Sequence, residues 1–161
     1  MPLPKLHGTI PTVGSAAPRL RFVKQDRSNA ALADLKGNVV VLLSVPSLDT
    51  GVCATETRTF NQKAAGIGAV VLVMSMDLPF AMKRFCAAEG ITNVETGSDF
   101  RFRDMSTDWG VAIAEGPMEA TLARAVWVID KEGVIRYHEL VPELGNEPQY
   151  DAALEAAKKL L

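Results

Sequence analysis

The sequence predicts an α/β fold, a thioredoxin-like three-layer sandwich whose central mixed β-sheet is flanked by helices. Three observations carry that expectation. Two continuous apolar runs, Val39–Val45 and Ala69–Met76, are each followed by helical periodicity. Two later apolar stretches are joined by a hairpin-type turn, and the chain closes on an amphipathic helix. A length of 161 residues suits one domain over 1–161. Within it, residues 1–18 are read as an irregular or extended lead-in, because prolines stand at 2, 4, 11 and 18.

Val39-Val-Val-Leu-Leu-Ser-Val45 reads as a strand covered on both faces. Pro46 ends it, and Ser47-Leu-Asp-Thr-Gly51 is turn chemistry with two candidate N-caps, Asp49 and Thr50. A helix follows to about Ala65, with Cys53, Thr57, Phe60 and Ala64 on one face. Ala69–Met76 is a second buried strand. Asp77-Leu-Pro79 then starts a helix, with a capping residue before a proline near the first helical position, that runs to Glu89 and stops at Gly90. A short helix is expected over Arg103–Trp109. Arg124–Asp130 and Val134–Val141 are strands joined by Lys131-Glu-Gly133, and a last helix begins near Glu147 and Pro148. Its apolar stripe is Tyr150, Ala153, Leu154, Ala157, Leu160 and Leu161. A parallel βαβ unit, an antiparallel pair and a covering helix give the thioredoxin-type arrangement.

Composition narrows the function. Hydrophobic residues make up 48% and charged residues 22%, which argues against disorder. Seventeen basic against nineteen acidic residues is too even a balance for a chain that grips nucleic acid. The apolar runs fall short of the roughly 20 residues a bilayer needs, and the first residues lack a signal-peptide hydrophobic region, so neither a membrane nor secretion is expected. Two cysteines do not make a secreted disulfide framework. The expected setting is cytoplasmic, and each cysteine needs its own explanation.

Cys53 falls in the first turn of a helix, just past the C-terminal end of a central strand, where ligand crevices of open α/β sheets form. Backbone N–H groups and the helix dipole favour a thiolate there. An ordinary cysteine is only about 3% thiolate at pH 7, so full ionisation gains roughly 30-fold, or about 2 kcal/mol. Fast chemistry also needs donors aimed at the developing charge. Position alone leaves open a small buried hydrophobe. Cys86, mid-helix beside Met82 and Phe85, reads by itself as core filler. As a pair, the two would close a 34-residue loop, worth about 3.8 kcal/mol in the chain-entropy model. Cysteines on separate helices rarely meet disulfide geometry, so pairing would require local unwinding.

Pro46-Ser-Leu-Asp-Thr50-Gly-Val-Cys53 fits Pro-x-x-x-Thr-x-x-Cys, the active-site motif of the peroxiredoxins. With Ala54-Thr55, Arg58, Phe60-Asn-Gln62, Asp77-Leu-Pro-Phe-Ala81, Arg84-Phe-Cys86, Trp109-Gly-Val-Ala-Ile-Ala114, Gly116-Pro117, Ala123-Arg-Ala125 and Glu147-Pro-x-Tyr150, the chain resembles the thiol peroxidase subfamily over residues 37–160. The resemblance implies an atypical 2-Cys peroxiredoxin that reduces hydrogen peroxide and alkyl hydroperoxides. Cys53 would be the peroxidatic thiolate that becomes a sulfenic acid. Thr50 would orient the peroxide, Pro46 would shield the thiolate, and Arg124 would hold the thiolate and polarise the O–O bond. Cys86 would be the resolving cysteine, forming an intramolecular Cys53–Cys86 disulfide that a thioredoxin-like reductant resets. A homodimer without metal or organic cofactor is also implied. The chain departs from the family pattern at Val45, where an aromatic residue is usual, at Ala17-Pro-Arg-Leu20, and in a shortened first segment, Met1–Gly14.

Other features read as structural. His7 and His138 lack metal-ligand spacing, no Cys-x-x-Cys exists, and Gly66-Ile-Gly68 precedes a strand and is therefore a turn. Arg101, Arg103 and Asp104 read as a solvated charged face. Glu56 reads as a favourable first-turn acid, and Arg58 as either a surface charge or part of the electropositive setting of Cys53. Trp109 and Phe85 suit a core or a dimer face, while strand alternation leaves the face of Trp127 open. The alternative to an enzyme is a peroxide-sensing or redox-relay protein using the same cysteine switch.

Overall fold

The computed structural model describes residues 1–64 and 66–161. Its sheet has seven strands: β1 (Arg21–Val23), β2 (Asn29–Ala31), β3 (Val40–Ser44), β4 (Val70–Ser75), β5 (Glu95–Ser98), β6 (Ala125–Ile129) and β7 (Ile135–Leu140). The spatial order is β2-β1-β5-β4-β3-β6-β7. β3, β4 and β5 are parallel, and every other pairing is antiparallel, so the sheet is mixed. The helices are α1 (Gly51–Lys63), α2 (Pro79–Glu89), the single turn α3 (Asp104–Thr107) and α4 (Tyr150–Lys158), with a 3₁₀ turn over Leu32–Leu35.

The period-two alternation of β3, β4 and β6 divides the core into two layers. Val41, Leu43, Val71, Val73, Val126 and Val128 face α1, α2 and α4, packing on Phe60, Met82, Phe85 and Leu154. Val40, Leu42, Leu72, Met74 and Trp127 face the other way, onto Leu20, Met105, Trp109, Ile113 and Leu122. The flanking is therefore lopsided. Three full helices cover one face, whereas α3 and irregular chain cover the other. Among the described residues no helix is long and apolar enough to cross a membrane.

Strands β1, β2 and β5 are not foreseen from sequence. β1 and β2 have three residues each, too few to show alternation, and β5 reads Glu-Thr-Gly-Ser. Gly97 is required there by crowding: a Cβ would lie 2.5 Å from Met74 Sδ and 2.9 Å from the Phe22 ring. The lead-in makes isolated bridges from Pro2 to Glu143, Leu6 to Ile113 and Ala16 to Val134.

Thr50, rather than Asp49, caps α1 through its side chain. The expected end of that helix at Ala65 lies outside the described residues. α2 stops where expected, at left-handed Gly90, but Asp77 does not cap it; the N-cap is Leu78, which supplies no side-chain oxygen. α4 starts later than expected, at Tyr150, and Leu161 is 51% exposed beyond the helix end. Asp104 is buried rather than solvated. It accepts from the Arg21 N–H, Nε and Nη2, whereas Arg101 and Arg103 are exposed. Trp109 and Trp127 are both fully buried and meet edge to face, and His138 stacks on Trp127.

Candidate active site

Cys53 sits where a strand ends and a helix begins, whereas Cys86 lies well inside α2. β3 stops at Ser44, whose hydroxyl donates to Ala123 O at 2.7 Å and so ties β3 to the segment leading into β6. Val45 is fully buried, and its N–H donates to Met74 O at 3.0 Å. Buried Pro46 cannot continue the ladder, and the chain turns through Ser47–Thr50 into α1. Thr50 Oγ1 donates to Ser47 O at 3.1 Å and accepts the Cys53 N–H at 3.4 Å. This N-cap fixes the first turn and places Cys53 against the sheet with no exposed surface.

Arg124 comes from the segment entering β6, 71 positions away in the chain, and is 2% exposed. Its Nη1 donates to Cys53 Sγ at 3.1 Å and to Glu56 Oε2 at 2.6 Å, while Nη2 donates to Leu144 O at 3.0 Å. Burial works against its charge, but Cys53 and Glu56 outweigh it and hold the guanidinium above its ordinary pKa. The fork is thus fixed on one side by a carboxylate and a carbonyl, and its Nη1 faces sulfur.

Glu56 corrects the sequence reading. It lies in the second turn of α1 rather than the first, is fully buried, and pairs with Arg124 inside the site. Burial pushes its carboxyl up to about 7, with Arg124 pulling it back and Glu139 and Glu147 adding to the rise. The signal was present: Glu56 is three residues after Cys53 and therefore shares its helix face. Arg58 takes the first of its two readings. It pairs with Glu89 of α2 at 2.9 Å and does not touch Cys53.

Cys86 lies on the inner face of α2, 7% exposed, in the same apolar cluster as Cys53; the two are not bonded. Burial pushes its thiol pKa up, opposed by the Gln25 side chain, which donates to Sγ at 3.4 Å. Sequence reasoning missed Gln25, whose position depends on the unforeseen β1–β2 turn. It also missed the contacts of Asp77 with Ser47 and Leu48. A cleft of about 420 Å³ opens beside the first turn of α1, between Gly51, Val52, Thr55 and Gly145–Glu147. A separate apolar cavity of about 340 Å³, lined by Leu20, Leu32, Val40 and Ile129, lies at the opposite end of β3 from Cys53.

A thiol on a helix N-terminus, faced by a buried guanidinium and shut under a proline-bearing loop, defines a thiol-based redox protein on a thioredoxin-like scaffold. Comparison with known proteins agrees. The family model for redoxins matches residues 12–154. Thiol peroxidases of Leptospira interrogans and Aquifex aeolicus are 51% identical over 160 residues and 49% over 150. These alignments cover 98% and 92% of this chain, and 94% and 88% of theirs. A crystal structure of a peroxiredoxin-like protein from Aquifex aeolicus superposes with a TM-score of 0.93 at 48% identity, covering 97% of this chain and 91% of its own. The chain belongs to the redoxin family and, within it, to the thiol peroxidases of the peroxiredoxins. Its activity is that of a peroxidase.

Proposed function

We propose that the protein reduces hydrogen peroxide and alkyl hydroperoxides through Cys53 and Cys86, with a thioredoxin-like dithiol protein as reductant. The observation that carries this reading is the 3.1 Å contact from Arg124 Nη1 to Cys53 Sγ in a site closed to bulk solvent. A rigid cation beside sulfur complements its negative charge, and the same fork can stabilise charge on the departing oxygen.

The thiolate attacks one peroxide oxygen and the O–O bond breaks. Cys53 becomes a sulfenic acid, and the departing RO⁻ takes a proton from water to leave as ROH. Thr50 orients the peroxide through its hydroxyl, and Pro46 shields the sulfur. Cys86 then condenses with the sulfenic acid, forming the Cys53–Cys86 disulfide and releasing water. A dithiol partner reduces that disulfide by exchange and is itself oxidised. In the docked conformation Cys53 is fully buried and Cys86 is 7% exposed. A compact hydroperoxide fits such a site better than a second protein does. Reduction by a protein dithiol therefore follows local unwinding of the cysteine-bearing helices. The reading takes 1–161 as one functional unit acting in the cytoplasm as a homodimer.

Thioredoxin, thioredoxin reductase and NADPH test it, with hydrogen peroxide or a tertiary alkyl hydroperoxide as oxidant. Sustained NADPH oxidation over many turnovers per chain is expected. Consumption that stops after one equivalent of peroxide would instead leave a switch or relay protein.

A further inference from the structure

We propose that Asp77 is a positioning residue that clamps the loop before Cys53 to the start of the helix bearing Cys86. In doing so it assists the peroxide step and opposes disulfide formation. The inference rests on the two-cysteine reading above.

Asp77 stands between β4 and α2, two residues before Pro79. Its carboxylate is turned away from the helix it precedes. Oδ1 accepts from Ser47 Oγ at 2.8 Å, and Oδ2 accepts from the Leu48 N–H at 2.8 Å and from Ser75 Oγ at 2.7 Å. Its own backbone is pinned, since its carbonyl accepts from Ser98 Oγ and its N–H donates to Ser75 Oγ at 3.2 Å. One carboxylate on a fixed backbone thus holds the loop that leads into α1.

That hold reaches the reacting sulfur through the loop. The Ser47 carbonyl accepts both the Thr50 N–H and the Thr50 hydroxyl, and the same hydroxyl oxygen receives the Cys53 N–H. Asp77 therefore orients Thr50 through Ser47 without touching sulfur itself. α1 gains little from propensity in its first turns, where Gly51, Val52, Thr55 and Thr57 stand. The surface ion pairs that join the two cysteine-bearing segments, Asp49–Arg84 and Arg58–Glu89, are solvent-exposed and contribute weakly. The clamp is charge-assisted and half-buried, which makes it the stronger restraint. Disulfide formation requires movement of the segments that the clamp joins.

Two rates with opposite responses test this. Rapid-quench alkylation and intact mass follow loss of the Cys53 thiol with hydrogen peroxide, then conversion of sulfenic acid to disulfide. In Asp77→Ala the first rate should fall about tenfold and the second rise about tenfold, the change produced by losing roughly one net hydrogen bond. Ser47→Ala, which keeps the Leu48 contact, should shift both rates in the same two directions by less. It serves if Asp77→Ala does not fold. Asp77→Asn can still accept from Leu48 and donate to Ser47, and should bring both rates most of the way back. A foldable Asp77→Ala with both rates falling or both unchanged would overturn the clamp. For Ser47→Ala, the same parallel responses would also overturn it. A wild type that forms sulfenic acid but never the Cys53–Cys86 disulfide would overturn the two-cysteine reading and the clamp together.

Discussion

Glu56 and Arg124 form an ion pair at 2.6 Å in which neither side chain exposes more than 2% of its surface. The arginine nitrogen in that pair, Nη1, also faces Cys53 Sγ. Removing two charges from water costs several kcal/mol per ion, so the pair is poorly explained by stability alone. Its geometric consequence is clear. The carboxylate and the Leu144 carbonyl hold the guanidinium in one orientation against the thiol.

Arg124→Lys should lower the second-order rate of Cys53 oxidation by about 10²–10³, the usual effect of removing one aligned donor at a charge-developing site. A single ammonium cannot reproduce the fork that meets Sγ, Oε2 and the Leu144 carbonyl together. Stopped-flow or competition kinetics with hydrogen peroxide check this.

Arg124→Met leaves the buried Glu56 carboxyl without its partner. Already raised to about 7, that carboxyl then takes up a proton, and the variant should lose about 1–3 kcal/mol of stability, the usual cost of a buried polar group left unpaired. Adding Glu56→Gln should recover part of that loss without restoring the peroxide rate. Urea unfolding of the single and double variants, beside their oxidation kinetics, separates the two roles of the arginine.

Glu56 also sets a pH dependence. Its folded pKa, about 7, lies above its unfolded value of 4.5. Between those values the folded state holds the extra proton, so this group's contribution to stability is largest below about pH 4.5. It falls as pH rises toward 7 and is flat above, a loss of up to about 3 kcal/mol. Glu56→Gln should remove this decline. The difference between wild-type and variant unfolding free energies across pH 4.5–8 isolates it from the opposite trend of His138, whose pKa burial lowers.

Gly110 holds the lead-in against the segment after α3. Its φ is +69°, and a Cβ would lie 2.5 Å from the Thr9 carbonyl carbon and 2.6 Å from its oxygen. Gly110→Ala should cost at least about 2 kcal/mol, lowering Tm by roughly 4 °C or more. Differential scanning calorimetry checks it.

The parts of the fold that buried apolar runs encode were legible. Val39–Val45, Ala69–Met76 and the hairpin around Lys131–Gly133 correspond to β3, β4, β6 and β7, each within one residue at either end. What escaped was structure specified by contact rather than pattern. β5 is a strand because Gly97 fits between Met74 and Phe22, and β1 and β2 are too short to show a period. Asp77 has the sequence position of a helix cap, but its side chain turns toward Ser47 and Leu48. Asp104 sits among arginines that suggest solvent, yet Arg21 encloses it. At the site, the motif around Cys53 located the loop and helix. The partners that complete it, Glu56, the Leu144 carbonyl and Gln25, depend on tertiary packing.

The most direct test of the central claim is intact mass with thiol counting after one equivalent of hydrogen peroxide, on wild type and Cys86→Ser. The two-cysteine account predicts that the wild type loses two hydrogens and both thiols, while the variant gains one oxygen, trapped as sulfenic acid at Cys53. A wild type that keeps both thiols, or that stops at a sulfenic acid with Cys86 still free, would contradict it.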